Sequence, residues 1–224
     1  MGEKGIYHSD NICEELHKIL WGGKRFSFQA DLNGIPKNGI YILFQKDEYG
    51  HDGERIVRIG THTGQNQLPS RIKQHFIDEN KDRSIFRKRV GRCFLNGNPF
   101  LSIWDIDLTN ANNRRIYGNC YNIRENAKWE KEVSKYIQEN FSFCLLDVEE
   151  KADRMKFEEL LIGTVSNCSA CRPSDNWLGL KSPTTNPRQG GRIVIDTGLW
   201  LSEKAYSKPL TREDLIFVSG ALVR

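Results

Sequence analysis

The alternation of apolar and polar positions divides the chain into a small set of elements. Over 11–21, Ile12, Leu16, Ile19 and Leu20 recur near one face of a 3.6-residue period and predict an amphipathic helix. The polar stretch 33–38, with Gly34 and Pro36, breaks that pattern. Strand-like runs follow at 39–45 and 54–60, and the polar, glycine-containing segment 46–53 between them predicts a hairpin loop. Helices are predicted over 70–76 (just after Pro69), 84–95 and 128–138. A strand at 143–148 and a helix at about 152–165 complete the periodic part. From 167 to 191 Ser, Pro, Gly, Asn and Thr dominate and predict a long loop, and 192–224 has a mixed pattern with only a weak assignment. This order describes an α+β domain around a small antiparallel β-sheet flanked by helices.

Closing the hairpin symmetrically places Tyr41 opposite Arg58, Leu43 opposite Ile56 and Gln45 opposite Glu54. Opposed side chains lie roughly 4.5–5.5 Å apart at Cβ, so Tyr41 and Arg58 become neighbours. A free phenol titrates near ~10, and an adjacent cation favours its ionised form. Taken alone, the pair reads as a sheet aromatic under a solvated cover. On the helix 70–76, Arg71 and His75 share a face while Ile72 and Phe76 turn to the core. That face could clamp a phosphate, because the Arg fork offers paired donors, and could move protons. On 152–165, Met155, Phe157, Leu161, Ile162 and Val165 form the apolar stripe, with Glu158 near its middle. Lys156, Glu159 and Gly163 fall on the side facing water. A carboxylate inside an apolar stripe is costly unless paired or metal-bound. Its partner is then either Arg154, one turn earlier, or a hard divalent cation such as Mg2+.

These pieces, in this order, resemble the GIY-YIG nuclease superfamily over roughly 37–177. Gly39-Ile40-Tyr41 matches the first motif, and Arg58-Ile59-Gly60 the second, with Arg where the family usually has Tyr. Arg71 and His75 match the helix motif, and Glu158 with Leu161-Ile162 matches the family's Glu motif, the same Glu that the helical stripe selects. Asn176 resembles the Asn of the closing Pro-x-x-Asn pattern; its distance from Glu158 is longer than usual, and Asn186 is its rival. The resemblance implies a DNA endonuclease dependent on Mg2+ (or Mn2+), with Tyr41 as general base and Arg71 stabilising charge on the phosphate. It further implies Glu158 holding the metal, His75 assisting proton transfer or orienting the phosphate, and Asn176 bracing the site. Arg58 either supports Tyr41 or marks an impaired, binding-only site. The whole chain, 1–224, reads as a single domain with extensions at 1–36 and 178–224. Such extensions, and the chain's size, resemble type II restriction enzymes of the superfamily.

Composition adds little beyond this. With 38% hydrophobic residues and a net charge of +4, the chain reads as a globular protein whose nucleic-acid contacts must come from local patches. One such patch is 81–92, with six basic residues and one acidic. On a helix it sets Arg83, Arg87, Lys88 and Arg92 in a stripe suited to a phosphate backbone, with Lys73 nearby and Ile85, Phe86, Val90 and Cys93 inward. Lys181, Arg188 and Arg192 give a second, looser one. His62, just past the second motif, reads as a loop residue and not a catalyst. Six cysteines in a chain this long read as reduced thiols, and with no signal-peptide core or apolar span the expected location is cytoplasmic. Cys168 and Cys171 make one CxxC, and four-ligand zinc would need Cys144 and Cys120 to join them, so a zinc site is not expected. The expected partner is DNA, with the chain a monomer or homodimer.

Overall fold

The structure is a computed structural model describing residues 3–28, 32, 34–119, 122–186, 189–201 and 203–224. In chain order the elements are helix α1 (Glu3–Trp21), strand β1 (Phe26–Ser27), and the hairpin strands β2 (Gly39–Gly50) and β3 (Gly53–Gly60). Helices α2 (Leu68–Phe76), α3 (Ile85–Phe94), α4 (Leu101–Trp104), α5 (Ala111–Tyr117) and α6 (Ile123–Asn140) follow. Strand β4 (Phe141–Asp147) and helices α7 (Lys151–Ser166), α8 (Gly191–Thr197) and α9 (Arg212–Ala221) complete the chain, with single 3-10 turns at Lys81–Arg83 and Leu178–Lys181.

The four strands form one antiparallel sheet in the order β1-β4-β2-β3, so the chain has the α+β architecture expected. Helices bury both faces of the sheet. Ile40, Ile42 and Phe44 pack with Leu16 of α1, Leu161 of α7 and Val218 of α9. On the other face, Tyr41 and Leu43 pack with Ile72 of α2, Phe86 of α3 and Val133 of α6. A strand buried on both sides has no solvent face to populate with polar residues, hence the unbroken apolar run from Ile40 to Phe44.

The hairpin differs from the symmetric closure. Tyr41 pairs with Gly60 and Leu43 with Arg58, but Phe44 pairs with Ile56 and Tyr49 with Glu54. Val57 is therefore extra in β3, and several residues are extra in β2 around Asp47, whose φ is 64°. The predicted loop 46–53 is mostly strand, and the true turn is only His51-Asp52, both left-handed (φ 53° and 65°), as a tight hairpin requires. Glu48 looked like a loop residue because it is charged, yet it is buried against Arg55 at 2.7 Å and accepts from the Ser174 hydroxyl and amide.

The predicted helices form, with α1 and α6 starting eight and five residues earlier than expected, while α4, α5, α8 and α9 lie where no helix was predicted. Gly163, expected to face water, is buried: its missing Cβ would lie 2.5 Å from the carbonyl oxygens of Ser207 and Lys208. Ile85, expected inward, is half exposed. The C-terminal segments close on the sheet. Trp200 N–H donates to the Val57 carbonyl at 2.7 Å along the free side of β3, and Val223 N–H donates to Leu145 at 3.0 Å.

Candidate active site

Tyr41 and Gly60 face each other across β2 and β3. A Cβ at position 60 would sit 2.2 Å from the Tyr41 oxygen, so only glycine lets the ring lie across the neighbouring strand. Arg58 then reaches the phenol diagonally. Its Nη2 donates to Tyr41 Oη at 3.3 Å and its Nη1 to the Trp200 carbonyl. The two-residue shift keeps both side chains on the face expected, so Tyr41 and Arg58 meet although they are not paired. Arg58 is buried, so the alternative of a solvated cover fails.

Behind the phenol, α2 supplies His75. Pro69 sits in the first turn of this helix, and Leu68, Ile72 and Phe76 anchor it in the core. His75 Nε2 lies 2.9 Å from Tyr41 Oη and Nδ1 lies 2.6 Å from Ser84 Oγ. Ser84 also caps α3 by accepting from Arg87 N–H, a bond typically worth about 1 kcal/mol. One hydroxyl thus joins the start of α3 to the site. His75 is wholly buried, and burial first, then Arg58, Arg71 and Arg87, hold its pKa well below the ordinary 6.5. It is a neutral imidazole at pH 7. With its proton on Nδ1, it accepts the Tyr41 hydroxyl proton at Nε2 while Arg58 donates to the same phenol oxygen.

A histidine that resists protonation when folded ties stability to pH. The unfolded chain takes up the proton near pH ~6.5 and the folded chain does not, so stability is full above that pH and falls below it. Urea unfolding at pH 7.5 and 5.5 is expected to show this loss, up to about 1.4 kcal/mol per pH unit for one proton. The drop should be smaller in His75→Gln; an equal drop in both proteins would exclude His75 as its source.

Glu158 lines a cleft of about 340 Å³ together with Tyr41, Arg58 and Arg71. Its Oε1 accepts from Thr61 N–H at 3.1 Å, just beyond the end of β3, and its Oε2 pairs with Lys204 Nζ. Arg154, the partner considered from the helical stripe, is buried elsewhere, donating to the carbonyls of Val148 and Glu149. Arg71 is half-buried on the cleft wall, with Nη1 on the Gln74 side chain and the Arg83 carbonyl. His62 lines the cleft but is fixed as a loop strut: Nε2 accepts Gly39 N–H at 3.2 Å and Nδ1 lies 2.7 Å from the Gly64 carbonyl. Burial lowers its pKa, aided by Arg154 and Arg71.

Four sequence expectations do not converge here. Asn176 is exposed between Ser174, bound to Glu48, and Trp177, whose indole donates to Gln45 at 3.0 Å. That is the far end of β2 from Tyr41, and Asn176 is not among the residues lining the cleft. Arg87 is not on a DNA-facing stripe: it is fully buried, with Nε and Nη2 on Glu130 at 3.1 and 2.7 Å and Nη2 also on Ser134. Lys88 and Arg92 are largely buried and tied to Asp105, through its carbonyl at 2.9 Å and its carboxylate at 2.6 Å. Lys73 and Arg83 remain exposed, and the Arg83 carbonyl accepts from Arg71. Arg188 and Cys120 lie outside the described residues.

Two charged cleft residues were missed, Glu203 and Lys204. They sit in a segment with no periodicity, and no local pattern marks them. The zinc reading also changes, because Cys168 and Cys171 meet Cys13 and His51, with the four donor atoms all within 4.8 Å of one another. Cys144 is buried separately in β4.

Residues 4–208 match the GIY-YIG domain family, and the chain belongs to it. This is a nuclease family whose substrate is nucleic acid and whose members generally use divalent metals. Comparison with curated proteins gives no match, and neither does comparison with solved structures. Among the described residues no helix is long and apolar enough to cross a membrane.

Proposed function

We propose that this chain is a metal-dependent DNA endonuclease that hydrolyses phosphodiester bonds. The observation carrying this reading is the Tyr41 phenol held between Arg58 and His75, in a cleft that Glu158 also lines. Deprotonated Tyr41, its oxygen steadied by Arg58, takes a proton from a water in line with the scissile bond, and His75, neutral throughout, orients that oxygen. That water attacks phosphorus as the bond to the 3′-oxygen breaks, and Arg71 stabilises the charge growing on the phosphoryl oxygens. His75 acts only through Tyr41, because it is sealed from the cleft.

A hard cation suits the carboxylate of Glu158, and Glu203 also lines the cleft. A divalent ion bound there supplies Lewis-acid neutralisation of the leaving oxygen. Lys204 pairs with Glu158 Oε2, so its ammonium would compete with a cation for this carboxylate. Lys73 and Arg83 are the basic residues placed to meet flanking phosphates. Within this reading we favour a type II restriction-like role.

The test is a cleavage assay on unmethylated genomic and plasmid DNA with magnesium, with manganese and with chelator. Discrete fragments are expected, abolished by chelator, and Lys204→Ala should lower the magnesium concentration giving half-maximal rate several-fold. DNA binding without cleavage by wild type in any metal would overturn catalysis and leave a binding protein that keeps the nuclease fold.

A further inference from the structure

We infer that Cys13, His51, Cys168 and Cys171 form a structural zinc site, separate from the cleft. The four residues come from three distant parts of the chain: the middle of α1, the turn between β2 and β3, and the segment after α7. His51 Nε2 lies 3.1 Å from Cys168 Sγ, and Cys13 Sγ lies 3.6 Å from Cys171 Sγ. Tetrahedral zinc with Zn–S of about 2.3 Å and Zn–N of about 2.0 Å separates its sulfurs by about 3.8 Å and sulfur from nitrogen by about 3.5 Å. The cluster is therefore already near the size of a coordination shell.

The donor chemistry selects the metal. Three thiols and an imidazole with no carboxylate suit zinc and not magnesium, which prefers oxygen. Ordinary packing does not account for His51, a polar ring at a hairpin tip turned toward three sulfurs from two other elements. A single disulfide would leave one thiol over and the imidazole without a role.

The surroundings support the same set of ligands. His17 is buried 3.7–3.8 Å from Cys13 and Cys171 Sγ, but both its ring nitrogens are engaged, by the Cys13 carbonyl at 2.8 Å and by Ile56 N–H at 3.4 Å. It orients α1 beside the site and is not a fifth ligand. Asp10, one turn before Cys13, accepts from Ser169 N and Oγ at 2.8 and 2.5 Å and holds the CxxC loop against α1. With four protein ligands the site has no open position for substrate. Its role is to tie α1, the hairpin tip and the end of α7 together, which fixes the helix carrying Glu158 against the strands carrying Tyr41 and Arg58. The inference stands apart from the nuclease reading.

Metal analysis of the full chain after gel filtration in magnesium buffer is expected to give one zinc per chain. Reconstitution of the wild type with cobalt(II) should give the intense thiolate-to-cobalt charge-transfer absorption of a tetrahedral site, a readout that needs no variant. His51→Ala and Cys168→Ala should lower zinc content, while Cys93→Ala, at a buried thiol outside the cluster, should retain one zinc. Wild type that holds no zinc and gives no cobalt spectrum, with its thiols free to titrate, overturns the site. So does full zinc content in the His51→Ala/Cys168→Ala double variant.

Discussion

Tyr41→Phe is expected to cleave DNA about 10²–10⁴ times more slowly than wild type, the usual contribution of a positioned acid–base group. The ring keeps its place across Gly60, so the fold should survive. What disappears is the oxygen between Arg58 and His75, leaving both buried partners short of a hydrogen bond. That shortfall costs on the order of 1–3 kcal/mol of stability, a modest fall in the urea midpoint. DNA affinity should hold, because the phenol contributes no charge to a phosphate. Time courses of cleavage, gel-shift titrations and unfolding on the same preparation separate the three effects. A variant cutting at the wild-type rate would remove Tyr41 from the reaction. Glu158→Ala, in the same assays, should lose cleavage while retaining binding.

Arg87→Ala is expected to cost about 3–5 kcal/mol of stability, because it leaves Glu130 charged and buried without its partner. Glu130 also accepts from the backbone of Lys81, so the loss should spread to the 3-10 turn before α3. Its DNA-binding salt dependence should match wild type as long as the protein stays folded. Arg83→Ala is the contrasting case, with stability unchanged but the slope of log affinity against log salt reduced by about one. Denaturant melts set beside binding at several salt concentrations decide the assignment. A stable Arg87→Ala with a shallower salt slope would return Arg87 to the DNA-facing stripe.

Local patterns carried the fold where a local cause produced them. The β2 run was legible because both faces of the strand are covered, and Glu158 because its helix places it among apolar neighbours. Tyr41, Arg58 and His75 were legible as motif residues, though their contact depends on a bulge at Val57 that no alternation pattern reveals. Misreadings arose where distant partners decide what a residue does. Arg87 belongs to a basic run that resembles a solvated face, and only Glu130, 43 positions away, turns it inward. Glu48 resembled a loop residue until Arg55 and Ser174 buried it. The same blindness hid Cys13 and His51 from Cys168, and Lys204 from Glu158, since pairings across the chain leave no periodic trace.

The contact between Trp200 and Val57 bears on how copies of this chain can meet. An uncovered outer strand presents a row of free amides and carbonyls, a template for a strand from another molecule and a common start for aggregation. Here the backbone of Trp200 already occupies Val57, and the Arg58 guanidinium claims the Trp200 carbonyl from inside. The tail thus acts as a selvedge along β3. Sheet-to-sheet joining of two copies through the middle of that strand is closed off, and the same stitch that blocks it holds a cleft arginine in place.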